Sequence, residues 1–303
     1  LDSVSKYGSV LGLDSIKNLL EELGNPQKEL TFIHIAGTNG KGSILAYLST
    51  ILTEAGYRTG RYISPTVIGY LERFQIDGAF MEEEELARLT CHVKAAAERL
   101  VEKGKPSPTV FEIETAIAFL YFKESGCDFV VLESGLGGLM DATNVIGNPK
   151  LCVFASVSMD HIGVLGNTLE EIARDKAGII KKGAEVVTGR QAACVKSVLE
   201  ETSCVKGCRI TEADLEKLEV VRQALEMQVF TYGEFEEMEI RLAGQHQIEN
   251  AVTVLEAVRA LRRQGVDISD TAVRAGLRKT RWPGRMMVLE KHPLVIADGA
   301  HNE

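Results

Sequence analysis

The chain has 303 residues, with 34 lysines and arginines against 43 aspartates and glutamates, a formal charge of −9, 45% hydrophobic residues and 25% charged ones. Such a composition belongs to a globular protein with enough chain for a large core, and its acidic balance excludes a general nucleic-acid binder, which would need a basic face. No run approaches the ~18 apolar residues of a membrane span, and the first thirty residues contain no charged segment leading into an apolar one; a cytoplasmic protein with no membrane partner is expected.

In chain order, residues 30–36 form a short apolar run ending in Gly37-Thr38-Asn39-Gly40-Lys41-Gly42-Ser43, and residues 44–55 place apolar side chains at helical spacing before Gly56. Residues 59–63 read as the next strand. Residues 82–103 read as a long amphipathic helix whose acidic first turn suits the helix dipole. Pro108-Thr109 opens a helix through Phe122, and Gly126 precedes a strand at 128–132. A buried strand is predicted at 151–157, a helix at 168–180 with Thr168 as N-cap and Glu171 completing a capping box, and a strand at 184–188. Residues 227–232 and 238–242 suggest an antiparallel pair, and 245–263 and 269–278 are helical. Short apolar strands alternating with helices imply an α/β fold: a mostly parallel sheet with helices on both faces and a small antiparallel addition.

The chain begins at Leu1 rather than Met and stops just after the apolar run Leu294-Val295-Ile296-Ala297, so it reads as a large part of a longer protein. The best hinge lies between Trp282-Pro283-Gly284 and Pro293. One domain is expected over residues 1–290, with a linker and the first strand of another over 291–303. The six cysteines form no C-x-x-C pair, and Cys204 and Cys208 lack the further ligands a metal clip needs, so ordinary thiols in a reducing compartment are expected.

The strongest local signal is the glycine-rich turn after the first strand. Successive backbone N–H groups and a helix N-terminus make an anion cradle there, and Lys41 reaches the outer phosphates. It is not a strict Walker A motif: the first glycine would fall at Ile35, and the hydroxyl of Ser43 comes two places after the lysine. Glu133 ends the strand Val130-Val131-Leu132 and is followed by Gly135, Gly137, Gly138 and Asp141-Ala142-Thr143-Asn144. An acid at the carboxyl edge of a parallel sheet suits Mg²⁺; a capping or solvated glutamate is the other reading, and the glycines, which admit a ligand to the backbone, favour the first. His161 follows another strand end in Val157-Ser158-Met159-Asp160-His161. Lys176 lies fifteen residues on, and nothing in its spacing alone separates it from a surface lysine.

Together these segments closely resemble the folylpolyglutamate synthase/dihydrofolate synthase branch of the Mur ligase superfamily. The resemblance runs through Gly37-Thr38-Asn39-Gly40-Lys41-Gly42-Ser43, Tyr62-Ile63-Ser64-Pro65, Glu72-Arg73-Phe74, Thr109-Val110-Phe111-Glu112 and the stretch 133–144. It continues through His161 with Leu165-Gly166-Asn167-Thr168, Lys176-Ala177-Gly178-Ile179-Ile180, Gln245-His246-Gln247 with Asn250, Trp282-Pro283-Gly284-Arg285 and Asp298-Gly299-Ala300-His301-Asn302. The order is preserved along essentially the whole chain. Departures fall at Thr66, where the family commonly has His, and at Glu303, where it has Pro.

The resemblance implies a P-loop-ATPase-like domain, followed in the family by a smaller Rossmann-like domain expected to be absent from this chain. It implies joining of L-glutamate to a folate or dihydropteroate carboxylate, with ATP converted to ADP and phosphate through an acyl phosphate. Lys41 and the backbone of Thr38, Asn39, Gly40, Gly42 and Ser43 would hold phosphates, and Asn250, Arg285, Asp298 and His301 match nucleotide-contacting positions. Ser64, Glu133 and His161 look like Mg²⁺ ligands, and Lys176 resembles the lysine that the family carbamylates to help hold a second Mg²⁺. Lys41, Lys176 and His161 are thus the expected catalytic residues, while Leu11, Asp14, Thr109, Phe111, Glu112 and Asp141 correspond to the pterin-contacting region. The residue types suit the chemistry, because activating a carboxylate concentrates negative charge that metals and fixed cations stabilise. A monomer acting on small molecules is expected. The alternatives are a Mur-type ligase for another carboxylate, such as a muropeptide precursor, and a catalytically silent nucleotide-binding protein; Ser64, Glu133, His161 and Lys176 speak against the latter.

Overall fold

A computed structural model describes residues 12–161 and 163–299. At its centre lies β1 (Phe32–Ala36), buried at every position. It pairs in parallel with β5 (Phe129–Glu133) on one side and β6 (Leu151–Phe154) on the other. Beyond β5 come β2 (Thr59–Tyr62), then β3 (Phe74–Ile76) and β4 (Ala79–Phe80); beyond β6 come β7 (Glu185–Thr188) and β8 (Arg209–Glu212). Among the described residues the sheet order is β4-β3-β2-β5-β1-β6-β7-β8, with β3 and β4 antiparallel and the other six parallel. Six parallel neighbours put six carboxyl ends on one edge, where open α/β sheets bind ligands.

Alternation along β1 divides the core. Ile33 and Ile35 pack into the cluster that contains α2 (Lys41–Glu54), α7 (Gln245–Arg263) and α8 (Asp270–Lys279). Phe32 enters the opposite cluster with α1 (Asp14–Glu22), α3 (Glu83–Glu102) and α4 (Val110–Glu124), and Ala36 packs with α5 (Leu169–Ala177) and α6 (Ala193–Val205). Helices therefore cover both faces, as the strand–helix alternation implies. A three-stranded antiparallel sheet of β9 (Leu218–Gln223), β10 (Gln228–Tyr232) and β11 (Phe235–Ile240) adds Phe230, Tyr232 and Met238 to the first of these clusters.

Several boundaries move for identifiable reasons. The strand expected over 151–157 stops at Phe154 because the chain beyond it turns to meet the glycine-rich loop, where Ser156 O accepts from Thr38 N at 2.7 Å and Asn39 N at 3.2 Å. Helix α2 begins at Lys41, three residues before its apolar pattern. Helix α5 has the expected capping box between Thr168 and Glu171 but ends at Ala177, ahead of Gly178. The run 294–297 is one arm of a hairpin, with β13 (Leu294–Ala297) antiparallel to β12 (Met287–Lys291). Sequence reading omitted α1, α6, β3, β4, β8, β9 and β12.

Helices α2 and α8 approach closely at Gly276, where an added Cβ would lie 2.6 Å from Ile51 Cα and 2.5 Å from Ile51 Cγ1. Backbone cannot yield as a side-chain tip can. Overpacking costs roughly 1–3 kcal/mol, against the roughly 1 kcal/mol that alanine gains over glycine in a helix. Gly276→Ala should therefore lower the urea-unfolding free energy; an unchanged or raised value would show that the two helices separate freely.

Candidate active site

The glycine-rich loop is built by close approach. Gly37 (φ +148°) lies against Ala155, whose Cβ would be 2.8 Å from a side chain there, and Gly40 (φ +93°) lies against Asn250, whose Oδ1 would be 2.6 Å away. A side chain at Gly42 would enter the ring of Trp282, the one tryptophan of the sequence. The loop is also stitched to the segment after β6, since Thr38 Oγ1 donates to Ser158 O and accepts from Ser158 N, both at 3.1 Å. Thr38 N and Asn39 N are already engaged by Ser156 O. The N–H groups left for an anion are those of the N-cap Gly40 and of Lys41, Gly42 and Ser43 in the first turn of α2, which have no intrahelical acceptor. The cradle is thus narrower than the sequence motif suggests.

Three charged side chains meet beside it. Lys41 Nζ lies 3.9 Å from Glu133 Oε1 and donates to Thr38 O at 3.2 Å. Glu133, buried at the end of β5, has its carboxyl pushed up to about 7, chiefly by burial. Lys41, the Ser64 N–H bond and Arg285 act in the opposite sense. Lys176, also buried, donates from Nζ to Gly37 O at 3.0 Å, and burial, with Lys41 adding to it, pulls its ammonium down to about 8. Both groups shift toward neutrality because each is buried with too little opposite charge. A buried, perturbed cluster at a sheet's carboxyl edge marks a functional site.

The loop that follows Glu133 is organised by Asp141. This buried carboxylate accepts from Leu136 N at 2.8 Å, Thr143 N at 3.0 Å, Gly135 N and the Thr143 hydroxyl. Burial nonetheless raises its pKa above the usual range. Gly135 admits the Phe111 ring, which would lie 2.6 Å from a Cβ there, and Phe111 in turn lies 6.1 Å from the Tyr62 ring. Glu112 is buried and fixes the start of α4: its carboxylate accepts from Thr109 N at 2.7 Å and from Ser15 Oγ at 3.0 Å. Asp14 is exposed in the first turn of α1.

The structure therefore gathers Lys41, Ser64, Glu133, Lys176, Asn250 and Arg285 around the loop. The His161 side chain is 52% exposed, with Nε2 3.6 Å from Asp160 Oδ2, and Asp160 in turn acts electrostatically on Lys176. Asp298 caps the end hairpin by accepting from Met286 N at 2.7 Å. Leu11 and His301 lie outside the described residues. Among the described residues no group of three His, Cys, Asp or Glu is placed to hold a metal; the expected set of Ser64, Glu133, His161 and Lys176 contains only two residues of those types. Sequence reading missed Gln191, whose amide donates to Ala155 O at 2.9 Å and accepts from Val157 N at 3.1 Å, securing the segment that holds the loop. Its position just beyond the carboxyl end of β7 was the available signal. It also missed His34, which is wholly buried.

Comparison with known proteins gives a consistent answer. The Mur ligase middle domain matches residues 35–258. The dihydrofolate synthase/folylpolyglutamate synthase of Bacillus subtilis (strain 168) is 41% identical over 305 residues, spanning 98% of this chain and 71% of that protein. A solved folylpolyglutamate synthase–AMPPCP–folate complex superposes with a TM-score of 0.91 at 32% identity, covering 99% of this chain and 77% of that one. The Mycobacterium tuberculosis folylpolyglutamate synthase complexed with ADP and AMPPCP gives 0.87 at 32% identity, covering 99% and 71%.

Burial holds the His34 imidazole neutral, pushing its pKa from 6.5 down to about 3, with Lys181 adding to the effect. Between those values the unfolded chain binds a proton that the folded one does not, so this contribution to stability is full above about pH 6.5 and is lost as pH falls toward 3. Between about pH 7 and about pH 5.5, wild type should lose about 1 kcal/mol more unfolding free energy than His34→Gln. Equal losses would mean that His34 is protonated in the folded state.

Proposed function

The chain belongs to the folylpolyglutamate synthase/dihydrofolate synthase family of Mur ligases, ATP-dependent enzymes that add L-glutamate to a folate-type carboxylate, and we propose that its Lys41–Glu133–Lys176 cluster activates that carboxylate with ATP. The observation that supports this most is the convergence of two cations, a buried acid and the open N–H groups of α2 at one sheet edge. In this reading the N–H groups of Gly40, Lys41, Gly42 and Ser43 hold phosphate oxygens and Lys41 swings from Glu133 onto the outer phosphates. Asn250 and Trp282 fix the loop from the side of α7 and the chain after α8, and Arg285 completes the positive wall. Asp298 and His301 are assigned to the nucleotide by family resemblance.

The residues present fit a small hard cation. Glu133 is a buried carboxylate short of positive charge, and Ser64, whose N–H bonds to it, offers a hydroxyl oxygen beside it. Mg²⁺ held there would neutralise charge developing on the transferred phosphoryl group. His161 would have to turn away from Asp160 to join it. The lowered pKa of Lys176 leaves part of its amine uncharged near neutral pH. The uncharged amine is the form that adds CO₂ to give a carbamate and a released proton, which supports a carbamylated Lys176 beside a second Mg²⁺.

The acceptor is assigned to the opposite side of Glu133, with the Asp141 loop, Phe111, Thr109, Glu112 and Asp14 at the start of α1 as the pteroyl-binding region; Leu11, outside the described residues, is assigned to it by family resemblance. Phosphorylation of the bound carboxylate and attack by the glutamate amine then release ADP and phosphate. Residues 1–290 are assigned to the ATP-binding domain and 291–303 to the passage into the next; hairpin β12–β13 straddles that boundary.

ADP release should require both a pteroyl substrate, dihydropteroate or tetrahydrofolate, and L-glutamate; release indifferent to both would reject the reading, and a preference for muropeptide precursors would replace folate as acceptor. Lys41→Ala should lower kcat by roughly 10²–10³-fold, the usual loss when a fixed charge on the transition state is removed. Activity within a few-fold of wild type would remove Lys41 from the phosphate site.

A further inference from the structure

Residue 34 stands three places before Gly37, and proximity in sequence would attach it to the nucleotide loop. The strand's alternation does the opposite. Ile33 and Ile35 face α2, whereas His34 points to the other face and meets the short helical turn Ala142–Val145. His34 Nε2 lies 2.9 Å from Thr143 Oγ1, and the Thr143 hydroxyl donates to Asp141 Oδ1. We infer that His34 is a positioning residue for the acceptor side of the site: through Thr143 it sets Asp141, and through Asp141 the loop 134–141, leaving the nucleotide loop untouched. This rests on the assignment of that loop to the pteroyl substrate.

The hydrogen-bond inventory fixes the direction of the relay. Backbone N–H groups already point at both Asp141 oxygens, so the carboxylate acts as an acceptor. The Thr143 hydroxyl has one proton and gives it to Asp141, so it must accept from His34. His34 therefore carries its proton on Nε2. Its Nδ1 is then a bare acceptor, and it is buried without a hydrogen-bond partner. An orphaned buried acceptor is costly, and its presence in the central strand implies that the other nitrogen has a role an apolar residue would not fill. The geometry beyond Asp141 shows what is positioned. Leu136 N and Gly135 N hang on the carboxylate, Gly135 admits Phe111, and Leu139 N reaches Asp175 O at 2.9 Å. The loop thus spans from the end of β5 to α5, and the carboxylate is its only described side-chain anchor at Leu136 and Gly135.

The test pairs donor-removing with donor-keeping variants. His34→Leu and Thr143→Val should each raise KM for the pteroyl substrate about tenfold while KM for ATP stays within about twofold. His34→Gln, which keeps an N–H in reach, and Thr143→Ser should restore it. The double variant His34→Leu/Thr143→Val should be no worse than either single one, since one relay is cut once. A parallel rise in KM for ATP, or no rescue by Gln and Ser, would overturn the inference. Amide exchange at Leu136 and Thr143 needs no substrate and separates this question from the ligase assignment: it should quicken at least about tenfold in His34→Leu, and unchanged exchange would refute the relay. Imidazole ¹⁵N shifts should show the Nε2–H tautomer in wild type; an Nδ1–H tautomer would refute it equally.

Discussion

The site depends on one backbone junction, where the turn after β1 is hydrogen-bonded to the chain leaving β6. Ser156 O takes the N–H groups of Thr38 and Asn39, and the Thr38 hydroxyl closes a reciprocal pair with the backbone of Ser158. That junction holds the loop open, aims the first turn of α2 at the space above the sheet, and brings Gly37 O over Lys176. It also explains why glycine occupies positions 37 and 40. The neighbours there are the Ala155 backbone and the Asn250 side chain, and at those φ values any other residue would be strained even if space were available.

The junction lets like charges coexist. Lys41 and Lys176 share a buried corner with Glu133, and each carries a cost of lost hydration that the others only partly offset. In the proposed function, incoming phosphates would supply negative charge and a cation positive charge, so the ligands would complete an electrostatic balance that the protein alone leaves unfinished. Preorganised charge of this kind needs no rearrangement when charge develops in the reaction. An acidic chain can therefore bind a polyanion through a local exception to its overall sign.

Much of this was legible in the sequence because strand ends announce themselves. The glycine-rich turn, Glu133 and the helix α7, whose bounds match the expected 245–263, follow from apolar runs and punctuation. What stayed hidden was long-range. His34 sits among apolar neighbours and looks like a core residue; only the fold brings Thr143, 109 positions away, against its ring. Strand β9 escaped notice because its residues are largely exposed, β8 because a four-residue strand with Ile210 as its one apolar residue leaves no pattern, and α6 because its apolar face is narrow. The expectation of His161 as a metal ligand came from resemblance, and its side chain is turned to Asp160. Asp141 and Glu112, expected beside the pterin, are seen to hold backbone N–H groups, so part of their contribution is to shape the local backbone.

The central claim is that the corner between Lys41 and Glu133 transfers phosphate onto a bound carboxylate. Oxygen tracing tests it most directly. With ¹⁸O in the acceptor carboxylate and the complete reaction mixture, one labelled oxygen should appear in each phosphate released, because the acyl phosphate breaks at the carbonyl carbon when the amine attacks. Phosphate carrying no label, formed in step with product, would contradict the account.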